Sequence, residues 1–172
     1  IASQHIPGAS PVTIKAQPQT ARQLPYLFSD ETIRRLLTLA AALPDNARAP
    51  QRGIIYEMIF ALLASLGLRV GEVANLQWGD VDLTRDVVEI HNTKFGKDRL
   101  VPFGPKLAVR LRTYRTQREQ NGFVCSGAHH LFSWNGRTPI SANSIRNTFR
   151  DDLLPQLALA IPGIGGSMNL NR

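Results

Sequence analysis

The residues of this chain best suited to chemistry are basic and fall in two places: Arg69, just after Leu66-Gly67-Leu68, and the run Thr93-Lys94-Phe95-Gly96-Lys97-Asp98-Arg99. Gly67 ends an apolar stretch, and glycine takes the left-handed backbone conformation that closes a helix. A turn therefore sets the direction of Arg69. Val70-Gly71-Glu72-Val73-Ala74-Asn75-Leu76 reads as a short second helix, whose first turn lies beside the guanidinium and whose amides can also face an anion. A planar guanidinium grips two oxygens of one oxyanion, so the expected chemistry is anion recognition, with phosphate the natural choice. Asp80 and Asp82 invite a metal reading. Their place in a turn and the absence of clustered histidines favour capping and turn formation instead, and neither a metal nor another cofactor is expected.

The elements that must position these residues follow from the pattern around them. Ser29 is an N-cap, with Asp30 and Glu31 in the first turn and Ile33, Leu36, Leu37 and Ala40 on one face of a helix that Pro44 stops. Residues 54–66 are apolar nearly all round, which marks a core helix packed on several sides. Val87-Val88-Glu89-Ile90-His91 and Arg99-Leu100-Val101-Pro102 form a β-hairpin across a turn containing Phe95-Gly96, with basic residues at its tip. Pro105 opens the next helix, which runs to about Gln120 with Leu107, Leu111 and Tyr114 inward and its arginines largely outward. Residues 122–136 read as irregular. Ser141 caps a further helix carrying Ile145, Phe149 and Leu153, limited by Pro155 and Pro162. The expected fold class is mainly α with a small antiparallel β-sheet.

Composition bounds the partners. The chain of 172 residues is 43% hydrophobic, enough for one domain with a sizeable core. No run approaches the roughly 18 apolar residues of a membrane span, and the N-terminus lacks the order of a signal peptide, so a cytoplasmic protein with no membrane partner is expected. The lone Cys125 excludes an internal disulfide and a cysteine-based metal cluster. A net charge of +7 and a pI near 10.3 point to a polyanion. Between Lys94 and Arg118, Lys94, Lys97, Arg99, Lys106, Arg110, Arg112, Arg115 and Arg118 face the single acid Asp98. For the distal arginines a solvated helix face is an equal reading. Residues 1–25, with Pro7, Pro11, Pro18 and Pro25, read as an extended arm or linker.

The order of helix, glycine, arginine, short helix, a turn with Trp78, Asp80 and Asp82, a lysine hairpin and a further helix resembles the catalytic domain of the tyrosine recombinase or phage integrase family. The strings Gly67 to Leu83 (GLRVGEVANLQWGDVDL) and Thr93 to Pro105 (TKFGKDRLVPFGP) carry the resemblance, which covers roughly residues 25–160. It implies site-specific recombination of double-stranded DNA through a 3′-phosphotyrosine, without metal or external energy, by a protein that assembles as a homo-tetramer on DNA. Arg69 matches the family's first arginine, which stabilises charge on the scissile phosphate. Lys94 matches the hairpin lysine that protonates the leaving 5′ oxygen, with Lys97 as its rival. Thr93, Lys97 and Arg99 suit contacts to the DNA backbone, and Glu72 orients its neighbours.

The family's His-x-x-Arg box and nucleophilic tyrosine are not found. Tyr26, Tyr56 and Tyr114 all precede the place where the nucleophile belongs. Asn143-Ser144-Ile145-Arg146 is either a degenerate box or, on the favoured reading, the helix before it. Residues 26–172 are then expected to be the N-terminal and central part of a recombinase catalytic domain, incomplete at the C-terminus, that binds DNA without cutting it. The alternative from another class is a non-catalytic DNA-binding regulator or excision factor using the same basic hairpin.

Overall fold

A computed structural model describes residues 28–91 and 98–160. Among them, α1 (Asp30–Ala41), α2 (Arg52–Leu66) and α3 (Val70–Asn75) lead through a 3-10 turn (Trp78–Asp80) to β1 (Val81–Asp82), β2 (Val87–Ile90) and β3 (Arg99–Pro102). The chain continues through α4 (Pro105–Gln120), α5 (Ala142–Asn147), a π-helical run (Thr148–Leu153) and α6 (Leu154–Ala160). This is the mainly α architecture with one small antiparallel sheet that the pattern predicts. No helix of the described residues is long and apolar enough to cross a membrane.

The core is built on α2, which packs against α1, α3 and α4. Its Ile55, Ile59 and Leu62 are fully buried, each contributing about 2 kcal/mol of apolar burial. Ser29 caps α1 as expected, its Oγ accepting the Thr32 N–H at 3.1 Å, and the Asp45 carboxylate caps α2 by accepting from Gln51 N and Arg52 N at 2.9 and 2.7 Å. Where α1 and α2 cross, a Cβ at Gly53 would meet the Ala41 carbonyl oxygen at 2.3 Å.

β2 pairs antiparallel with both β1 and β3, in the order β1-β2-β3. The hairpin of β2 and β3 is the expected one, and its tip, residues 92–97, lies outside the described residues, as do residues 1–27. β1 adds a third strand that two residues without alternation do not announce. Residues 127–131, read as irregular, run beside the end of α3 and the 3-10 turn: Trp78 N donates to His129 O at 2.9 Å, Gly79 N to Gly127 O at 2.8 Å, and Leu131 N to Leu76 O at 2.8 Å. Trp78 also stacks on Tyr114 of α4, with ring centroids 5.8 Å apart. The turn behind α3 is thereby fixed on two sides.

Two expectations are corrected. Pro155 does not end its helix, because the π-helical run immediately upstream widens the ladder: Leu154 N donates to Phe149 O, and the wider turn makes room for the ring that an α-helical interior would reject. Arg118 does not face outward. It is 2% exposed, donates to Ser133 O at 2.6 Å and to Gln51 Oε1, and its Cζ lies 3.5 Å from the Phe123 ring centroid. Leu107, Leu111 and Tyr114 are buried on the same face, and Arg118 continues their spacing.

Candidate functional site

Arg69 is delivered as the glycine suggests. Gly67 closes α2 in the left-handed conformation (φ 60°, ψ 29°), its N–H donating to Leu63 O at 3.2 Å, and Arg69 becomes the N-cap of α3 with extended backbone. No Cβ clash requires glycine here; the positive φ does. The amide of Arg69 is satisfied within the chain, because it donates to Glu72 Oε2 at 2.8 Å, and its Nη1 donates to Glu72 Oε1 at 3.0 Å. The side chain remains 53% exposed. Its guanidinium is thus oriented from one side while still open to a ligand.

Arg99 completes the arrangement from the sheet. Strand period places it on the face shared with Val88, Ile90 and Val101, turned toward α3, and its Nη1 and Nη2 donate to Glu72 Oε1 and Oε2 at 3.1 and 2.9 Å. One carboxylate, 9% exposed, therefore ties the N-terminus of α3 to the first residue of β3. Burial pushes the Glu72 carboxyl up, but the hydrogen bonds from Arg99 and the Arg69 amide and the two guanidinium charges outweigh it and hold it below its ordinary value. Thr93, Lys94 and Lys97 lie in the tip outside the described residues.

Asp80 and Asp82 take the capping roles expected of them. Asp80 Oδ2 accepts from Gln77 N at 2.8 Å at the start of the 3-10 turn. Asp82 Oδ1 accepts from Thr84 N and Arg85 N at 2.8 and 2.9 Å while Oδ2 accepts from Arg85 Nε at 2.6 Å, and these bonds hold its carboxyl down at about 2. Glu89, His91 and Asp98 bring ligand-type atoms within 4.8 Å of one another, all exposed. Both nitrogens of His91 face carboxylates: Nδ1 lies 3.1 Å from Asp98 Oδ2 and Nε2 lies 3.3 Å from Asp80 Oδ1. The sequence offers His91 only as a residue three positions before Lys94, and the approach of Asp80 from another element is invisible in it.

The two tyrosines among the described residues, Tyr56 and Tyr114, are committed to packing. Tyr114 is buried and donates to Leu131 O at 2.9 Å, and burial pushes its hydroxyl far up; Tyr56, also buried, donates to Ser144 O at 3.4 Å. Tyr26 lies outside the described residues. In α5, which packs on α3, Arg146 Nη1 donates to Asn143 Oδ1 at 3.0 Å, and the buried Nε has no hydrogen-bond partner among the described residues. The distal arginines are paired within the chain: Arg110 with Glu57, Arg112 with Asp86 at 3.1 Å and Arg115 with Glu119 at 2.8 Å.

Comparison with known proteins shows the family of the chain. Residues 28–154 match the phage integrase family. "Putative integrase/recombinase y4rB" of Sinorhizobium fredii is 38% identical over 134 residues, which are 77% of this chain and 42% of that protein. Tyrosine recombinase XerA of Thermococcus kodakarensis is 35% identical over 101 residues, 59% of this chain and 33% of that one. The chain spans less than half the length of these relatives. The crystal structure of XerA recombinase superposes with a TM-score of 0.63 at 25% identity, covering 90% of this chain and 49% of the other. The Tn1549 transposon integrase, solved in complex with circular intermediate DNA, shares the fold with a TM-score of 0.59 at 15% identity, over 83% of this chain and 49% of that one. Matched by the family over most of its length, from α1 to the start of α6, this chain belongs to the phage integrase family of tyrosine recombinases.

Proposed function

We propose that this chain supplies the first half of a tyrosine recombinase active site and binds double-stranded DNA through it. The observation that carries the reading is the single carboxylate of Glu72, which joins Arg69 at the start of α3 to Arg99 at the foot of the basic hairpin. A guanidinium buttressed from behind and open in front suits the nonbridging oxygens of a scissile phosphate, where it offsets charge developing in the transition state. Lys94, on the flexible stem that a general acid needs, protonates the leaving 5′ oxygen. Thr93 and Lys97 contact the DNA backbone, and Arg99 contributes charge there while holding Glu72. In the longer parent a tyrosine attacks the phosphate, forms a 3′-phosphotyrosine and is released by the returning 5′ hydroxyl, on a tetramer in the cytoplasm.

Alone, this chain binds DNA and does not cut it. Tyr56 and Tyr114 are buried with their hydroxyls committed to backbone carbonyls, which supports that reading. Incubation with a suicide substrate carrying the cognate site yields no protein-DNA adduct that survives denaturation; such an adduct overturns the assignment. In a longer protein that includes a His-x-x-Arg box and a tyrosine, Arg69→Ala or Lys94→Ala reduces cleavage much more than binding, and an equal loss of both removes their catalytic roles.

A further inference from the structure

The outer face of the sheet collects three metal-ligating side chains. β2 and β3 pair Glu89 with Leu100 and Ile90 with Arg99, and the same register sets His91 opposite Asp98. Strand alternation turns Val88 and Ile90 into the core, so Glu89 and His91 stand side by side on the exposed face. Asp98 joins them from the β3 side, its Oδ2 lying 3.1 Å from His91 Nδ1. One ligand-type atom from each of Glu89, His91 and Asp98 lies within 4.8 Å of the other two, and all three residues are exposed.

We propose that Glu89, His91 and Asp98 bind a divalent transition-metal ion of the zinc class, which ties the end of β2 to the start of β3. Zinc bonds to imidazole nitrogen and carboxylate oxygen run about 2.0–2.2 Å, and a tetrahedron of such bonds keeps its ligand atoms about 3.3 Å apart. The separation of 3.1 Å between His91 and Asp98 already has that span. Glu89 closes the rest by rotating about the bonds of an exposed side chain. The imidazole sets this group apart from a plain acidic patch, because magnesium and calcium take oxygen ligands, whereas imidazole with carboxylate suits zinc and its neighbours. Charge acts in the same direction. A dication replaces the mutual repulsion of two carboxylates, and Asp80, with Oδ1 3.3 Å from His91 Nε2, adds a negative charge beside the site. Three protein ligands leave a fourth position to water. The ion takes no part in the strand cleavage proposed above; it links two strands of the sheet.

Calorimetric titration of the chain with zinc at about pH 8, where the ligands are deprotonated, tests the site directly. One ion should bind per chain, and His91→Asn, Glu89→Gln and Asp98→Asn should each weaken that binding at least about tenfold. His129→Asn, at an exposed histidine that bonds to Ser126 O instead, should leave it unchanged. Magnesium should bind at least about tenfold more weakly than zinc. In thermal unfolding, zinc at about a hundred times its Kd should raise the wild-type midpoint by roughly 5–10 °C and leave that of His91→Asn in place. Zinc binding that survives His91→Asn, magnesium binding as tight as zinc, or a wild-type midpoint that zinc does not move overturns the site. Neither measurement uses DNA, so either outcome leaves the DNA-binding reading to its own tests.

Discussion

Glu72 and Arg99 meet fork to fork, the two Nη atoms of the arginine donating to the two carboxylate oxygens at 3.1 and 2.9 Å. Both of those oxygens also accept from Arg69, one from its amide and one from its guanidinium. Removing this carboxylate leaves two guanidiniums facing each other without a counter-charge. Glu72→Ala is therefore expected to cost about 2 kcal/mol in urea unfolding, the scale of hydrogen bonds to a charged group in a partly buried site. A cost near zero would mean that the triad is a surface ion pair of little weight.

The same carboxylate sets an acid limit. Its folded value lies below 4.5, so its stabilising contribution is present above 4.5 and is lost as pH falls through the depressed value. Stability measured from about pH 5 downward should fall less steeply in Glu72→Gln than in wild type.

Two glycines separate conformational from steric constraint. Gly67→Ala meets no atom but must hold a positive φ, and should cost about 1 kcal/mol. Gly53→Ala drives a Cβ to within 2.3 Å of a backbone oxygen of α1 and should cost about 3 kcal/mol by forcing the helices apart. Thermal or urea unfolding of both variants should rank them in that order.

Much of the fold is readable in the sequence because its devices are local. The Ser29 cap, the Gly67 stop, Pro105 at the first turn of α4 and the Ser141 cap all sit where their backbone chemistry requires. What escapes is pairing without a side-chain signature: β1 is two residues long, and residues 127–131 bond to the turn behind α3 through backbone alone. The site divides the same way. Arg69 and Glu72 are neighbours in sequence, whereas Arg99 reaches Glu72 only through the sheet register, and Asp80 reaches His91 only through the fold.

Arg118 was there to be read, since it follows Leu107, Leu111 and Tyr114 at helical spacing, but an arginine's type argues for solvent. Arg118→Ala leaves the Ser133 carbonyl without its donor and strips the Phe123 face of its cation, a loss of about 3 kcal/mol. Because this side chain is buried, the variant, at temperatures where it remains folded, should bind duplex DNA with an unchanged salt slope. A reduced slope would place Arg118 on the nucleic acid.

Cys125 is 5% exposed, and burial pushes its thiol up to about 11. Alkylation by iodoacetamide near neutral pH should be slow in the native protein and become fast in denaturant. Fast native labelling would show that the segment around it opens readily.

The central claim is that Arg69, set by the Gly67 turn and held by Glu72, is a ligand of DNA phosphate. Its most direct test is the affinity of the chain for duplex DNA as a function of salt, compared between wild type and Arg69→Gln. Loss of one phosphate contact should weaken binding at every salt concentration and reduce the slope of log K against log salt by about one. An unchanged affinity and slope in a folded Arg69→Gln protein would contradict the claim.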